Sequence, residues 1–238
     1  MTEKQVPSSP PPLARDQKKA KAPLLVDIVA DVVCPWCYVG VKSFLLSRDA
    51  LKVDFDVTPR FRPYQLNPGL PVAGVDRHEF YRAKFPDASA LAAAREAIRE
   101  NARSSGFDFD PAAQDILPNT VKAHQIIRLA HFTGVQERAV LAIYRAFWDE
   151  LLDIGDDATL IEIARQAGID DGLAAAALAS GEDAAMIEAE TDSFRQAGVS
   201  GVPTFIVNER TGFSGGMPPQ QLTAALRRAA EMTQGAHA

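Results

Sequence analysis

The stretch V-V-C-P-W-C-Y-V-G, residues 32–40, contains both cysteines of this 238-residue chain, Cys34 and Cys37, set around a proline and a tryptophan. Just before it, residues 24–33 are almost continuously apolar and β-branched, the pattern of a strand covered on both faces. Just after it, Pro35 stands where a first helical turn would begin, and the segment through Phe44, Leu45 and Leu46 reads as a helix. Both thiols therefore fall at a strand-to-helix junction. With Cys34 as N-cap, its sulfur faces the unpaired N–H groups of the first turn. The helix dipole, worth about 0.3–1 kcal/mol and up to ~2 kcal/mol when partly buried, favours the thiolate there.

Inert roles for the pair fit poorly. A structural bridge would close so short a loop that the chain-entropy relation returns only about 2 kcal/mol. A closed zinc site needs four ligands, and the histidines, His78, His124, His131 and His237, are scattered along the chain. His124 and His131 do not have the i, i+4 spacing of a helical metal pair, so no metal site is expected. Thiol–disulfide exchange suits the spacing. The Cys34 thiolate attacks a disulfide sulfur, and Cys37, one turn further in, resolves the mixed disulfide into an internal one. Cys37 is expected to be the more buried thiol, with the higher pKa.

Working outward, residues 51–58 alternate apolar and polar side chains, a strand with one wet face. Pro59 cannot donate to a ladder, so this strand should lie at an edge or break there. Strand, helix and strand make one right-handed βαβ unit. Between residues 76 and 181 helical patterns dominate, over 88–103, 121–132, 136–152, 159–167 and 172–179, punctuated by glycine and proline. Tyr144, Phe147 and Trp148 recur at helical spacing and read as bundle core. A helix over 183–196, a strand over 203–207, a turn, a return strand over 212–214 and a closing helix over 220–232 complete the chain. The expected organisation is a tail over 1–23, a βαβ half over 24–75, an all-helical insertion over 76–181, an αββα half over 182–232 and a tail over 233–238. The first 22 residues, rich in proline, serine and lysine, are expected to be disordered.

Composition narrows the function. A formal charge of −6 and pI near 5.3 argue against a broad phosphate-binding surface, so no nucleic-acid partner is expected. No apolar run approaches the ~20 residues that span a bilayer. Two cysteines cannot build a multi-bridge secreted framework, so the chain reads as cytoplasmic. Lysines before the apolar run imitate a signal peptide. Asp27 and Asp31 interrupt that run, however, and no small-residue cleavage site follows it.

C-P-W-C-Y-V-G at 34–40 together with G-V-P-T-F at 201–205 resembles the DsbA family of thioredoxin-fold thiol–disulfide oxidoreductases. F-R-P-Y-Q-L-N-P (61–68), A-K-F (83–85), P-N-T with A-H (118–124), D-I-G-D (153–156) and S-G-G-M-P-P (214–219) are similar to its FrnE-like branch. The resemblance implies an α/β thioredoxin fold, with a mixed four-stranded core sheet, interrupted by a helical insertion. It implies Cys34 as nucleophile, Cys37 as resolving thiol and Val202–Pro203 as a cis-proline loop facing them. Val202 would offer its backbone to a bound peptide, and Trp36 would be a partly exposed apolar contact for substrate. Pro35 supports the helix start. Asp31, three residues before Cys34, could assist proton transfer at Cys37 or be an ordinary strand-end carboxylate.

The expected activity is a dithiol–disulfide oxidoreductase or isomerase whose redox element is the Cys34–Cys37 disulfide, with no bound cofactor and glutathione as a candidate co-substrate. Substrates would be disulfide-containing proteins or small thiols; a homodimer stays open. Two alternatives stand beside it. One is a glutathione-dependent transferase or isomerase of the kappa or hydroxychromene-carboxylate isomerase kind, whose members typically carry serine at the position of Cys34. The other is a chaperone-like module binding through the groove around Trp36.

Overall fold

The computed structural model describes residues 21–234. Most of the two expected tails lies outside that range, and at both ends regular structure runs further than the sequence suggested. The chain opens with β1 (Ala22–Ala30), α1 (Pro35–Leu51) and β2 (Phe55–Pro63). Leu24, Val26 and Ile28 of β1 are buried along with Val29 and Asp27 opposite them, as a strand covered on both faces requires. β2 runs parallel to β1, pairing Ala22 with Phe55 through Ala30 with Pro63, and among the described residues has no partner on its other side. Pro59 therefore sits on an edge strand, where its missing N–H leaves no ladder bond unmade.

The second strand begins later than the alternation of residues 51–58 suggested. Leu51 is the last residue of α1 and fully buried, and Val53 lies in an exposed turn. Helical bonding carries on past Leu51, with Lys52 N–H donating to Arg48 O at 2.9 Å and Asp54 N–H to Leu51 O at 3.0 Å. Phe44 and Leu51 occupy one helix face, and that burial outweighs the local period of two.

A mainly helical stretch follows, with β3 (Val75–Asp76), α2 (Arg77–Lys84), α3 (Ala88–Ser104), β4 (Ile116–Leu117), α4 (Val121–Phe132), α5 (Gln136–Trp148), α6 (Asp157–Ala167) and α7 (Asp171–Ser180). The short strands β3 and β4 depart from the all-helical insertion expected, and α8 (Glu182–Gln196) then leads toward the closing strands. β3 and β4 form a two-residue antiparallel ribbon. α5 stops at Trp148, earlier than the expected residue 152, because Leu151 takes a left-handed backbone (φ 56°). Tyr144, Phe147 and Trp148 are core, as expected.

The chain closes with β5 (Thr204–Val207), β6 (Thr211–Ser214) and α9 (Pro219–Gln234). β5 pairs antiparallel with β1 and with β6, giving one mixed four-stranded sheet in the order β2-β1-β5-β6. α1 and α9 pack together on the sheet; Ser47 Oγ donates to Pro219 O at 2.9 Å, while Leu222 and Leu226 are fully buried. The result is a thioredoxin-type α/β fold with a helical insertion, and its β1–α1 junction lies beside the loop entering β5.

Candidate active site

β1 ends at Ala30, and four residues later Cys34 caps α1 with extended backbone (φ −86°, ψ 116°) and no side-chain capping bond. Pro35 occupies the first helical position, where its lacking N–H costs nothing. The turn is closed by Cys34 N–H donating to Asp31 O at 3.1 Å. Cys34 O then accepts from Cys37 N–H at 3.0 Å and Tyr38 N–H at 3.2 Å. The sulfur of Cys34 is thereby held at the positive end of a seventeen-residue helix.

The two thiols are unbonded to each other and differ in setting. Cys34 retains 5% of its surface, whereas Cys37 has none. Burial pushes the Cys37 thiol well above its ordinary value, and a hydrogen bond to the Cys34 thiol and the proximity of that group add to the rise. A backbone hydrogen bond from Asp31 opposes it, while the Asp31 charge reinforces it.

Opposite the pair, the Val202–Pro203 peptide bond is cis, and Cys34 Sγ lies 3.7 Å from Val202 O. Pro203 is buried, and its carbonyl accepts Gly215 N–H at 2.8 Å. Trp36 is half-buried and lines a groove of about 340 Å³ with Gly201, Val202, Ser214, Gly215 and Gly216. Two glycines permit these close approaches. A Cβ on Gly40 would stand 2.6 Å from Pro203 Cγ, and one on Gly216 would stand 2.7 Å from Trp36 O. Cys34, Cys37, Trp36, Val202 and Pro203 are therefore brought together.

Asp31 lies directly beneath them. It is 1% exposed, and its Oδ2 accepts Leu66 N–H at 2.8 Å. It is thus a buried, hydrogen-bonded carboxylate and not a solvated one. Its Oδ1 faces His124 Nε2 at 3.6 Å, and His124, 2% exposed, comes from α4. Tyr144 from α5 donates to Asp31 O at 3.3 Å, and Trp148 Nε1–H donates to Val32 O at 3.1 Å. Sequence reading passed over His124 as a metal ligand and took Tyr144 and Trp148 as core only. The spacing of α4 and α5 placed them on buried faces, but nothing local announced that those faces end on the cysteine turn. Among the described residues no three His, Cys, Asp or Glu side chains group to hold a metal ion, and no helix is long and apolar enough to cross a membrane.

Comparison with known proteins agrees with this geometry. Residues 25–227 match the family model of the DSBA-like thioredoxin domain. A probable DsbA oxidoreductase from Streptomyces coelicolor is 28% identical and superposes with a TM-score of 0.77, over 87% of this chain and 90% of its own. The cytosolic disulfide reductase DsbM from Pseudomonas aeruginosa, whose structure was determined with GSH, shares the fold at 19% identity and a TM-score of 0.58, over 87% and 99% of the two chains. An uncharacterized protein of Bacillus subtilis, YwbO, is 24% identical over 185 residues, 77% of this chain and 86% of its own.

Proposed function

The chain belongs to the DSBA-like thioredoxin domain family, and from that premise we propose that it is a thiol–disulfide oxidoreductase of the FrnE-like branch, working in the cytoplasm through Cys34 and Cys37. The observation that carries the reading is the placement of Cys34 Sγ, at a helix N-terminus and 3.7 Å from the carbonyl before cis-Pro203, whose Val202 lines the groove together with Trp36.

Cys34 is the nucleophile. Its thiolate attacks a substrate disulfide in line, expels one substrate sulfur as a thiolate that takes a proton from solvent, and leaves the other bound to Cys34. Cys37 then loses its proton and attacks Cys34 Sγ, releasing the second substrate thiol and closing the internal disulfide. The raised Cys37 pKa keeps that thiol protonated until the mixed disulfide exists, which orders the two steps. Val202 presents a strand-edge backbone to an extended peptide, and Trp36 gives that peptide an apolar wall. A groove of about 340 Å³ suits a few residues of peptide around a cysteine, so glutathione is a candidate partner alongside unfolded proteins.

Single-cysteine variants test the assignment. Cys34→Ser should lower insulin reduction at least a thousandfold. Cys37→Ser should accumulate a covalent adduct with the substrate, seen by mass spectrometry and lost on adding dithiothreitol. Full activity in the Cys34→Ser protein would end this reading.

A further inference from the structure

The fold buries a carboxylate–imidazole pair that no step above uses. Asp31 Oδ1 and both ring nitrogens of His124 make no hydrogen bond among the described residues, although Oδ1 and Nε2 stand only 3.6 Å apart. Orphaned polar atoms in so buried a place are costly unless they serve a purpose. The pair has two openings. On one side Asp31 is near enough to Cys37 for its charge to act on that thiol, and Tyr144, whose hydroxyl donates to Asp31 O at 3.3 Å, feels both groups. On the other, His124 lines a surface groove of about 210 Å³ between β2 and α4, which shares no lining residue with the groove at Trp36. A cavity of about 10 Å³, the size of one water, lies beside His124, Tyr144 and Val32.

We infer that His124 is a positioning residue for the Asp31 carboxylate and gives the Cys37 proton its way out to the groove between β2 and α4. This inference rests on the assignment of Cys37 as resolving thiol. During resolution the Cys37 S–H gives its proton to the Asp31 carboxylate, and the thiolate so formed attacks Cys34 Sγ. The Cys34–substrate bond breaks, and the substrate sulfur leaves with that electron pair. Asp31 passes the proton to His124 Nε2, returning as carboxylate, and the imidazolium releases it to the groove. The buried negative charge moves from carboxylate to sulfur and out with the leaving thiolate, and the imidazolium formed next is a cation set against the returning Asp31 carboxylate until it releases its proton. In the oxidising direction the same path brings a proton to Cys37 as it leaves the disulfide. Imidazole suits the task because histidine is the side chain whose charge ordinarily changes between pH 5 and 8.

Other titratable groups bear on the pair. Cys34 caps α1 against Asp31 O, and the Asp31 charge reaches Cys37 from α1, Tyr144 from α5 and Tyr81 from α2. Arg60 and Arg62 from β2, Arg128 and His131 from α4, and Glu190 from α8 line the groove at His124. The arginines are engaged with carboxylates, Arg60 and Arg62 with Asp27, Arg62 also with Glu190, and Arg128 with Asp183, so His124 is the buried group in that wall without a partner besides Asp31.

The test separates capture from resolution. Capture is measured as adduct formation in the Cys37→Ser background, and resolution as single-turnover release of substrate thiol from the mixed disulfide. His124→Ala should leave capture within twofold and slow resolution at least tenfold at neutral pH, within the range that general acid–base groups contribute. In place of the wild-type plateau, its resolution rate should keep climbing with pH, and added imidazole, entering by the groove, should restore it. Unchanged resolution, or a slowed rate with the wild-type pH profile and no imidazole rescue, overturns the inference. Failure of capture in the Cys37→Ser protein would instead strike the assignment of Cys34. Should His124→Ala not fold, His124→Gln decides: its amide can occupy the same place beside Asp31 but cannot take up a proton, so resolution should slow at least tenfold with capture within twofold, and wild-type resolution overturns the inference.

Discussion

Replacing Gly40 by alanine separates the two things this residue does. In α1 the exchange is locally favourable, since alanine is the better helix former by about 1 kcal/mol. Its Cβ would nevertheless stand 2.6 Å from Pro203 Cγ and 3.3 Å from Pro203 Cβ. Carbon atoms settle at about 3.5–4.0 Å, so helix and loop must part by about 1 Å. Overpacking of this kind costs about 1–3 kcal/mol, and the net loss is about 0–2 kcal/mol after the helical gain. A melting temperature for a chain of this size falls about 2–4 °C for each kcal/mol.

The larger effect should be on turnover. Gly40 and Cys34 are on one rigid helix, so whichever partner yields, the gap between Cys34 Sγ and the Val202 carbonyl widens from its 3.7 Å. A misplacement of about 1 Å can cost about a hundredfold in rate. Alkylation of Cys34 by a small reagent should stay within a few-fold of wild type, because the sulfur keeps its place at the helix end. Gly69→Ala is the control, since a Cβ there meets nothing within 4 Å. Insulin reduction and alkylation would be measured side by side on the three proteins. A Gly40→Ala protein as active as the control, and more stable than wild type, would refute the claim that Pro203 needs this glycine.

Arg60 clamps the buried Asp27 with two hydrogen bonds of 2.7 and 2.6 Å, so Arg60→Met should leave that carboxylate unbalanced and cost about 3–5 kcal/mol, less whatever Arg62 at 3.8 Å recovers. Urea unfolding checks it, and a loss under about 1 kcal/mol would contradict it; Asp27→Asn combined with Arg60→Met should recover most of the deficit. The reduced protein should also lose stability in alkali. Because the folded Cys37 thiol titrates above its ordinary 9.0, the unfolded chain releases that proton first. The associated stability is complete below pH 9 and declines as pH rises beyond it, by up to about 1.4 kcal/mol per unit. Burial also raises Tyr38 and Tyr144, so the comparison is with Cys37→Ala, which keeps both tyrosines. Equal slopes of stability against pH for the two reduced proteins would remove the argument.

What could be read in the sequence was what local chemistry writes. A double-faced apolar strand, proline at a helix start and paired cysteines announce the β1–α1 junction within twenty residues, and G-V-P-T-F announces the loop opposite. The start of β2 was misplaced because Leu51 and Val53 fit a period of two, although Phe44 and Leu51 also fit a helical face. α2 went unread because its mean hydropathy is low, yet Asp76 and Glu79 stand at capping-box spacing, and Asp76 Oδ1 does accept Glu79 N–H at 2.7 Å. His124 was legible only as the end of the A-H motif, with nothing beside it to say what its ring would meet. A buried histidine beside a buried aspartate is a property of two distant segments, visible only once the chain has closed.

That closure gives the helical insertion a part in the chemistry. β1 stops pairing at Ala30, so the carbonyls of Asp31 and Val32 continue into a turn without strand neighbours, and buried carbonyls need donors. Cys34 N–H takes up one role at Asp31 O. The insertion supplies the rest: Tyr144 to Asp31 O, Trp148 to Val32 O, and Asp149, at the end of α5, accepting Tyr38 O–H at 2.8 Å. Tyr38 also stacks on Tyr144 at 5.4 Å between ring centroids. α5 therefore grips the cysteine turn on both sides of Cys34, while the sheet and α9 hold α1 from behind. Such a turn keeps its sulfur at the helix end only while both grips last. Loosening α5 must therefore weaken the site, although no residue of α5 lines the groove at Trp36.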